Sequence, residues 1–207
     1  MIGSETCDVL VVGAGPAGST AAFILAGRGL KVALLDRSLF PRPKLCGGLL
    51  TWKTVRSLER IFQTRRQTLT SAGLIRLETR RYTVADRCGH ALTRRLSDPF
   101  HLVDRTTYDA FWLGQAVSAG ARFYPGTTVV SLDPDRCEAR TDNGRRWRAR
   151  VVIGADGVDS RIRRALAAGG NLRLPRRRGR AVALECFVPR RPGAFPDHPT
   201  IYFGKVR

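Results

Sequence analysis

The stretch from Cys7 to Asp36, CDVLVVGAGPAGSTAAFILAGRGLKVALLD, decides how the chain is to be read. Cys7 to Val12 is a short, β-branched, nearly continuous apolar run, which predicts a buried parallel strand. A glycine turn follows. Pro16 to Arg28 then has the composition of a helix, with Pro at its first turn and Gly29 past its end. Lys31 to Leu35 predicts a second strand, completing a βαβ unit. Gly13, Gly15 and Gly18 stand as G-x-G-x-x-G between strand and helix, a spacing that permits a tight turn, close approach of a pyrophosphate to backbone and close helix–strand packing. Asp36 closes the second strand, where a carboxylate accepts hydrogen bonds from ribose hydroxyls; capping a glycine turn is the plainer alternative. Gly13, Gly15, Pro16, Ala17, Gly18, Asp36 and Arg37 are therefore the expected dinucleotide contacts. The charge of Arg37 does not by itself select among dinucleotides.

The same stretch has no charged residue from Val9 to Ala26 and so resembles a membrane span in hydropathy. Its glycines and proline interrupt what a spanning helix keeps apolar, and no basic segment precedes it in Met1 to Asp8, so neither a signal peptide nor a transmembrane helix is expected. Around it, 207 residues with 43% hydrophobic content suffice for a buried core, which excludes a disordered tail or a small disulfide scaffold. The net charge is +19, and only four of the 36 basic residues are lysine. The arginines lie mostly singly or in pairs, and the triplet Arg176 to Arg178 has no aromatic neighbour for base stacking, so a nucleic-acid partner is not expected. Five scattered cysteines without C-x-x-C and three histidines without ligand spacing predict neither a metal site nor a disulfide framework, and point to a cytoplasmic protein.

Downstream, Ser38 to Gly48 predicts a loop, Thr51 to Phe62 a helix, and residues 72–96 a set of short antiparallel strands. His101 to Val103 predicts a strand, and Arg105 to Ala119 a helix with Phe111, Ala116 and Val117 available for one side. Ala121 to Tyr124 and Thr127 to Leu132 predict strands. Asp142-Asn143-Gly144 marks a hairpin turn between Cys137 to Thr141 and Arg146 to Ile153. A second glycine turn, Gly154-Ala155-Asp156-Gly157, precedes a helix from Ser160 to Leu166. Gly169 to Arg180 has linker composition, followed by expected strands at Ala181 to Val188 and Thr200 to Phe203.

GAGPAGS, LLDR around Asp36, PRPKLCGG from Pro41 to Gly48, Arg105 with Asp109, and GADGVDSRIRR from Gly154 together resemble the flavin-dependent hydroxylase superfamily. The Pro41 to Gly48 loop resembles its geranylgeranyl reductase branch. The resemblance implies an α/β fold: a Rossmann-like FAD-binding domain of the GR2 type, with the start of an antiparallel β-sheet substrate domain. It divides the chain into an FAD-binding βαβ unit and flavin loop at 1–70, a β insertion of the substrate domain at 71–100, the continued FAD-binding domain at 101–170, and the start of the substrate-domain sheet at 171–207. It also implies FAD as cofactor, reduced by NAD(P)H or another donor. Gly13, Gly15 and Gly18 would hold its pyrophosphate and Asp36 its ribose. Arg105 would contact it, Val130 would lie against adenine, and Asp156 and Gly157 would close on it. Cys46, Gly47 and Gly48 would line the flavin ring, with Cys46 the catalytic candidate.

The expected activity is reduction of carbon–carbon double bonds in polyprenyl lipids by hydride from reduced flavin. A polyprenyl lipid or other small hydrophobic molecule is the expected partner, with peripheral membrane contact, and basic and aromatic residues between Arg42 and Trp52 are candidates to receive a lipid diphosphate. A monooxygenase or halogenase of the same superfamily is the alternative enzyme, and a non-catalytic nucleotide-binding fragment the alternative from another class. Because the family's third, GDAAG-like cofactor segment has no counterpart after Gly157, the chain is expected to represent the N-terminal portion of the family fold. His90, His101 and the three tryptophans are expected to serve packing or surface roles.

Overall fold

The computed structural model describes residues 4–170, 172, 183–186 and 197–204. In chain order the elements are β1 (Ser4–Val12), α1 (Pro16–Ala26), β2 (Val32–Leu35), β3 (Leu49–Leu50), α2 (Trp52–Phe62), α3 (Arg66–Ser71), β4 (Ile75–Asp86), β5 (Ala91–Val103), α4 (Arg105–Ser118), β6 (Arg122–Tyr124), β7 (Val129–Asp133), β8 (Glu138–Thr141), β9 (Arg146–Gly154), α5 (Arg161–Ala168) and β10 (Thr200–Phe203). They form two compact units.

The first unit takes the chain up to Lys44 and again from Thr106. Its six-stranded sheet runs β6-β2-β1-β9-β8-β7, with β1 parallel to both β2 and β9 and a β7-β8-β9 antiparallel meander at one end. Alternation in β1 separates two apolar layers. Val9 and Val11 pack with Ala22 and Ala26 of α1, Leu34, and Leu113 and Ala116 of α4. Leu10 and Val12 pack on the other side with Leu35, Val129, Trp147 and Ile162. The part of β1 covered on both faces, Val9–Val12, is apolar at every position, and each such side chain contributes roughly 1.5–3 kcal/mol of burial.

The second unit comprises Leu45–Arg105 and the described residues from Ala183 on. Its four-stranded sheet runs β10-β4-β5-β3, and the β4–β5 hairpin is its main body. The short strands expected over 72–96 and at His101 are in fact two long ones. Register shifts between Ile75 and Leu77 and between Thr79 and Arg81 break the alternation, so each strand looks like separate segments in the sequence.

The unit boundaries fall at 44/45 and 105/106, not at 70/71 and 100/101, because β3 pairs with β5 and α2 lies against both. Both β3 and α3 are too short for periodicity to reveal them. Of the strand expected at Ala181 to Val188, residues 183–186 are not in a strand and the remainder lies outside the described residues, as does most of the Gly169 to Arg180 linker. No helix among the described residues is long and apolar enough to cross a membrane.

Candidate cofactor site

Each glycine of the first turn has a different reason to be there. Gly13 adopts φ of 100°, and a Cβ on it would lie 2.4 Å from the Ala155 carbonyl oxygen. A Cβ on Gly18 would lie 1.7 Å from the Gly13 carbonyl oxygen, so α1 packs against the turn only without one. Gly15 has an ordinary φ of −71°, and the nearest atom to a Cβ there is Nη2 of Arg42 at 3.6 Å. No contact among the described residues requires glycine at 15; a ligand lying against the backbone would.

The surroundings of Gly15 suit an anion. Pro16 and Ala17 form the exposed first turn of α1, whose N-terminus has neither a side-chain cap nor an acid in its first turn, leaving the Ala17 and Gly18 N–H groups and the helix dipole for a phosphate. The Arg42 guanidinium adds a fixed cation. It stacks 4.8 Å from the centre of the Phe40 ring, with Nη2 3.5 Å from Oδ2 of Asp109. Asp109 is buried in the inward stripe of α4 with Tyr108, Trp112, Leu113 and Ala116. The expected inward residue Val117 is 45% exposed.

Asp36 is buried at the end of β2. Its Oδ2 accepts from the Ala14 N–H at 2.7 Å and its Oδ1 from the Ser38 N–H at 2.8 Å, so the carboxylate braces the glycine turn. Each oxygen retains a lone pair for a ribose hydroxyl. Arg37 points to solvent. In the second turn, Gly157 has φ of 83°, and Asp156 accepts through Oδ2 from the N–H groups of Arg161 and Ile162 at 2.6 and 3.3 Å, capping α5 together with Ser160. Its Oδ1 is buried with no hydrogen-bond partner among the described residues. An orphaned buried carboxylate oxygen, an idle glycine and an uncapped helix N-terminus in one unit fit a dinucleotide carrying hydroxyl donors and phosphate acceptors. Val130 lies on β7 with its side chain 47% exposed, and Arg105 is the partly buried first residue of α4.

The remaining candidates lie in the second unit. Cys46 is exposed, and its backbone N–H donates to Oε2 of Glu185 at 2.8 Å. Gly48 has φ of 68°, and a Cβ on it would stand 2.0 Å from the Val103 carbonyl oxygen, so close pairing with β5 requires this glycine. Gly47 has nothing within 4 Å of a Cβ. His101 is fully buried. Oε2 of Glu78 lies 3.2 Å from its Nε2, and burial pushes the imidazole below its ordinary range against the pull of Glu78. Trp112 and Trp147 are core residues, whereas Trp52 is exposed.

The Arg42–Asp109 pair is the feature that motif reading assigned elsewhere. The signal was present, since an acid inside the apolar stripe of an amphipathic helix needs a buried partner.

The family model described as FAD binding domain matches residues 6–173. The geranylgeranyl diphosphate reductase of Rhodobacter capsulatus is 35% identical over 167 residues, which is 78% of this chain and 40% of that protein. The chain spans about two fifths of the length of several of the curated relatives it matches. Among solved structures, a geranylgeranyl bacteriochlorophyll reductase-like protein from Thermoplasma acidophilum superposes with a TM-score of 0.63 at 25% identity, covering 75% of this chain and 40% of that one. The halogenase PltM in complex with phloroglucinol and FAD superposes with a TM-score of 0.67 at 23% identity, covering 78% and 36%.

Proposed function

The chain belongs to the FAD binding domain family, and on that premise we propose that it is the nucleotide-binding portion of a flavin-dependent reductase acting on carbon–carbon double bonds of polyprenyl lipids. The observation that carries the FAD half of this reading is Gly15, which no contact among the described residues requires, beside an uncapped helix N-terminus and a fixed arginine. The lipid half is supported by 35% identity to a geranylgeranyl diphosphate reductase and by the Cys46-Gly47-Gly48 loop.

When bound, FAD in its reduced form supplies a hydride, and the other carbon of the double bond takes a proton. The chain's residues bind and orient. The Ala17 and Gly18 N–H groups and Arg42 would neutralise the pyrophosphate, Asp36 would accept from the ribose, and Oδ1 of Asp156 would accept from a further cofactor donor. Cys46, exposed in its loop, is the candidate to hold a proton near the reacting bond. NAD(P)H or another two-electron donor would supply the reducing equivalents.

The test is FAD titration of the purified chain, followed by incubation with a geranylgeranyl lipid under anaerobic reductant. The expected result is flavin uptake and a mass gain of one H2 per double bond. Failure to take up flavin overturns the whole reading. Flavin uptake with oxygen consumption on an aromatic substrate, and no lipid reduction, replaces the reductase reading with a monooxygenase or halogenase.

A further inference from the structure

We infer that the exposed face of α2 is a docking surface for an anionic phospholipid bilayer. Val55, Leu58 and Phe62 turn inward, so the outward face is settled by burial. Lys53, Arg56 and Arg60 follow one another at spacings of three and four along it, all exposed, and Arg65 continues the line beyond the helix. No carboxylate lies within ion-pair distance of these four among the described residues. The neighbouring acid, Glu59, is engaged through Oε1 with the Arg66 N–H at the start of α3.

Charge alone would suit any polyanion, and the apolar residues narrow the choice. Trp52 opens the helix at 37% exposure, with Nζ of Lys53 5.6 Å and the Arg56 guanidinium 5.5 Å from its ring. Leu45 and Leu49, at 67% and 45% exposure, run into it from the preceding segment. An indole flanked by cations, with exposed leucines, matches the lipid interface, where the ring sits at headgroup depth, the leucines reach the acyl boundary and the cations meet lipid phosphates. Among the exposed arginines of the β8–β9 ladder, Arg140, Arg146 and Arg148, the indole is turned inward: Trp147 between them is buried. They represent ordinary solvated charge. The inference does not depend on the bound cofactor or on the reductase reading.

The experiment is cosedimentation of the full chain with vesicles of phosphatidylcholine alone and with phosphatidylglycerol added, at physiological salt. Binding is expected only to the anionic vesicles, with a blue shift in tryptophan emission from Trp52, since Trp112 and Trp147 are already buried. Lys53→Gln/Arg56→Gln/Arg60→Gln is expected to lower partitioning on the order of 100-fold, and Trp52→Ala roughly tenfold. Arg140→Gln/Arg146→Gln/Arg148→Gln, with the same charge change elsewhere, is expected to leave it within about threefold. All variants are compared at equal far-UV circular dichroism and equal FAD uptake. No binding to anionic vesicles, or equal losses in the two triple variants, overturns the inference. So does tighter, α2-dependent binding to duplex DNA with a steep salt slope, which makes the stripe a nucleic-acid face.

Discussion

The Gly13 to Gly18 turn in the first unit and the Gly47-Gly48 turn in the second share a division of labour. In the first, Gly13 and Gly18 are consumed by the chain's own close approaches to Ala155 and to the turn, while Gly15 is left idle. In the second, Gly48 is consumed by Val103, while Gly47 is left idle. Their settings differ. Gly15 faces uncapped N–H groups and an arginine anchored by a buried aspartate, an environment prepared for an anion. Gly47 follows a cysteine whose N–H already donates to Glu185, and among the described residues no atom lies within 4 Å of a Cβ placed on it. A glycine that packing requires reports on folding, and one that packing does not require marks where something else comes close.

The largest expected effect tests this division within the first turn. Gly18→Ala drives a methyl group into the Gly13 carbonyl, backbone against side chain with no rotamer to relieve it, and is expected to destabilise by at least about 3 kcal/mol. Gly15→Ala meets ordinary contact distances at a common φ and is expected to change stability by less than about 1 kcal/mol, while weakening FAD binding at least tenfold. Urea denaturation and FAD titration of both variants check the pair. Equal stability losses would erase the distinction.

Asp109→Ala comes next, at about 3 kcal/mol, because it leaves the mostly buried Arg42 without its counter-charge. The same titrations read it. Losses in both stability and FAD affinity are expected, since a guanidinium released from Asp109 no longer holds its place beside Gly15. Unchanged FAD affinity would show that the pair serves packing alone.

The first unit was legible in the sequence down to individual positions. Val9–Val12 of β1 and all of β2 are apolar on both faces, and the turn between them and α1 is set by local chemistry, so Cys7 to Asp36 carries its own interpretation. The second unit was less legible for two physical reasons. Bulges near Leu77 and Arg81 reset the two-residue period within one strand, and β3 is only two residues long, defined by pairing with distant Leu102 and His101. Site residues followed the same rule. The glycines announced themselves by spacing, whereas the union of Arg42 with Asp109 joins residues far apart in sequence. Asp156 showed its motif but not its split role, one oxygen capping α5 and the other unpartnered among the described residues.

His101 supplies a smaller effect confined to the second unit. The unfolded imidazole takes a proton near about pH 6.5, while in the folded chain burial, aided by Arg66 and opposed by Glu78, lowers its affinity for the proton. Below about pH 6.5 the unfolded state therefore binds more protons than the folded one, and stability falls as pH drops through this window. Hydrogen exchange in peptides from β4 and β5 is expected to quicken between pH 7.5 and 5.5, after correction for intrinsic rates. His101→Phe is expected to flatten that dependence. An unchanged slope in the variant would assign the acid sensitivity to other groups.

The smallest expected effect on stability is at Gly47, where the comparison between the turns is most exposed to failure. A Cβ there meets nothing within 4 Å, and the residue does not occupy the positive-φ region, so Gly47→Ala is expected to shift stability by no more than about 0.5 kcal/mol in either direction. Gly48→Ala, at φ of 68° and 2.0 Å from a carbonyl oxygen, is the paired control and is expected to unfold the β3–β5 contact. If Gly47 is idle in the same sense as Gly15, the alanine variant keeps its stability and FAD affinity but loses lipid turnover, because the added methyl group occupies space meant for the reacting partner. If turnover survives too, the second turn is a purely structural corner, and the idle glycine identifies a site only where, as around Gly15, fixed charges converge on it.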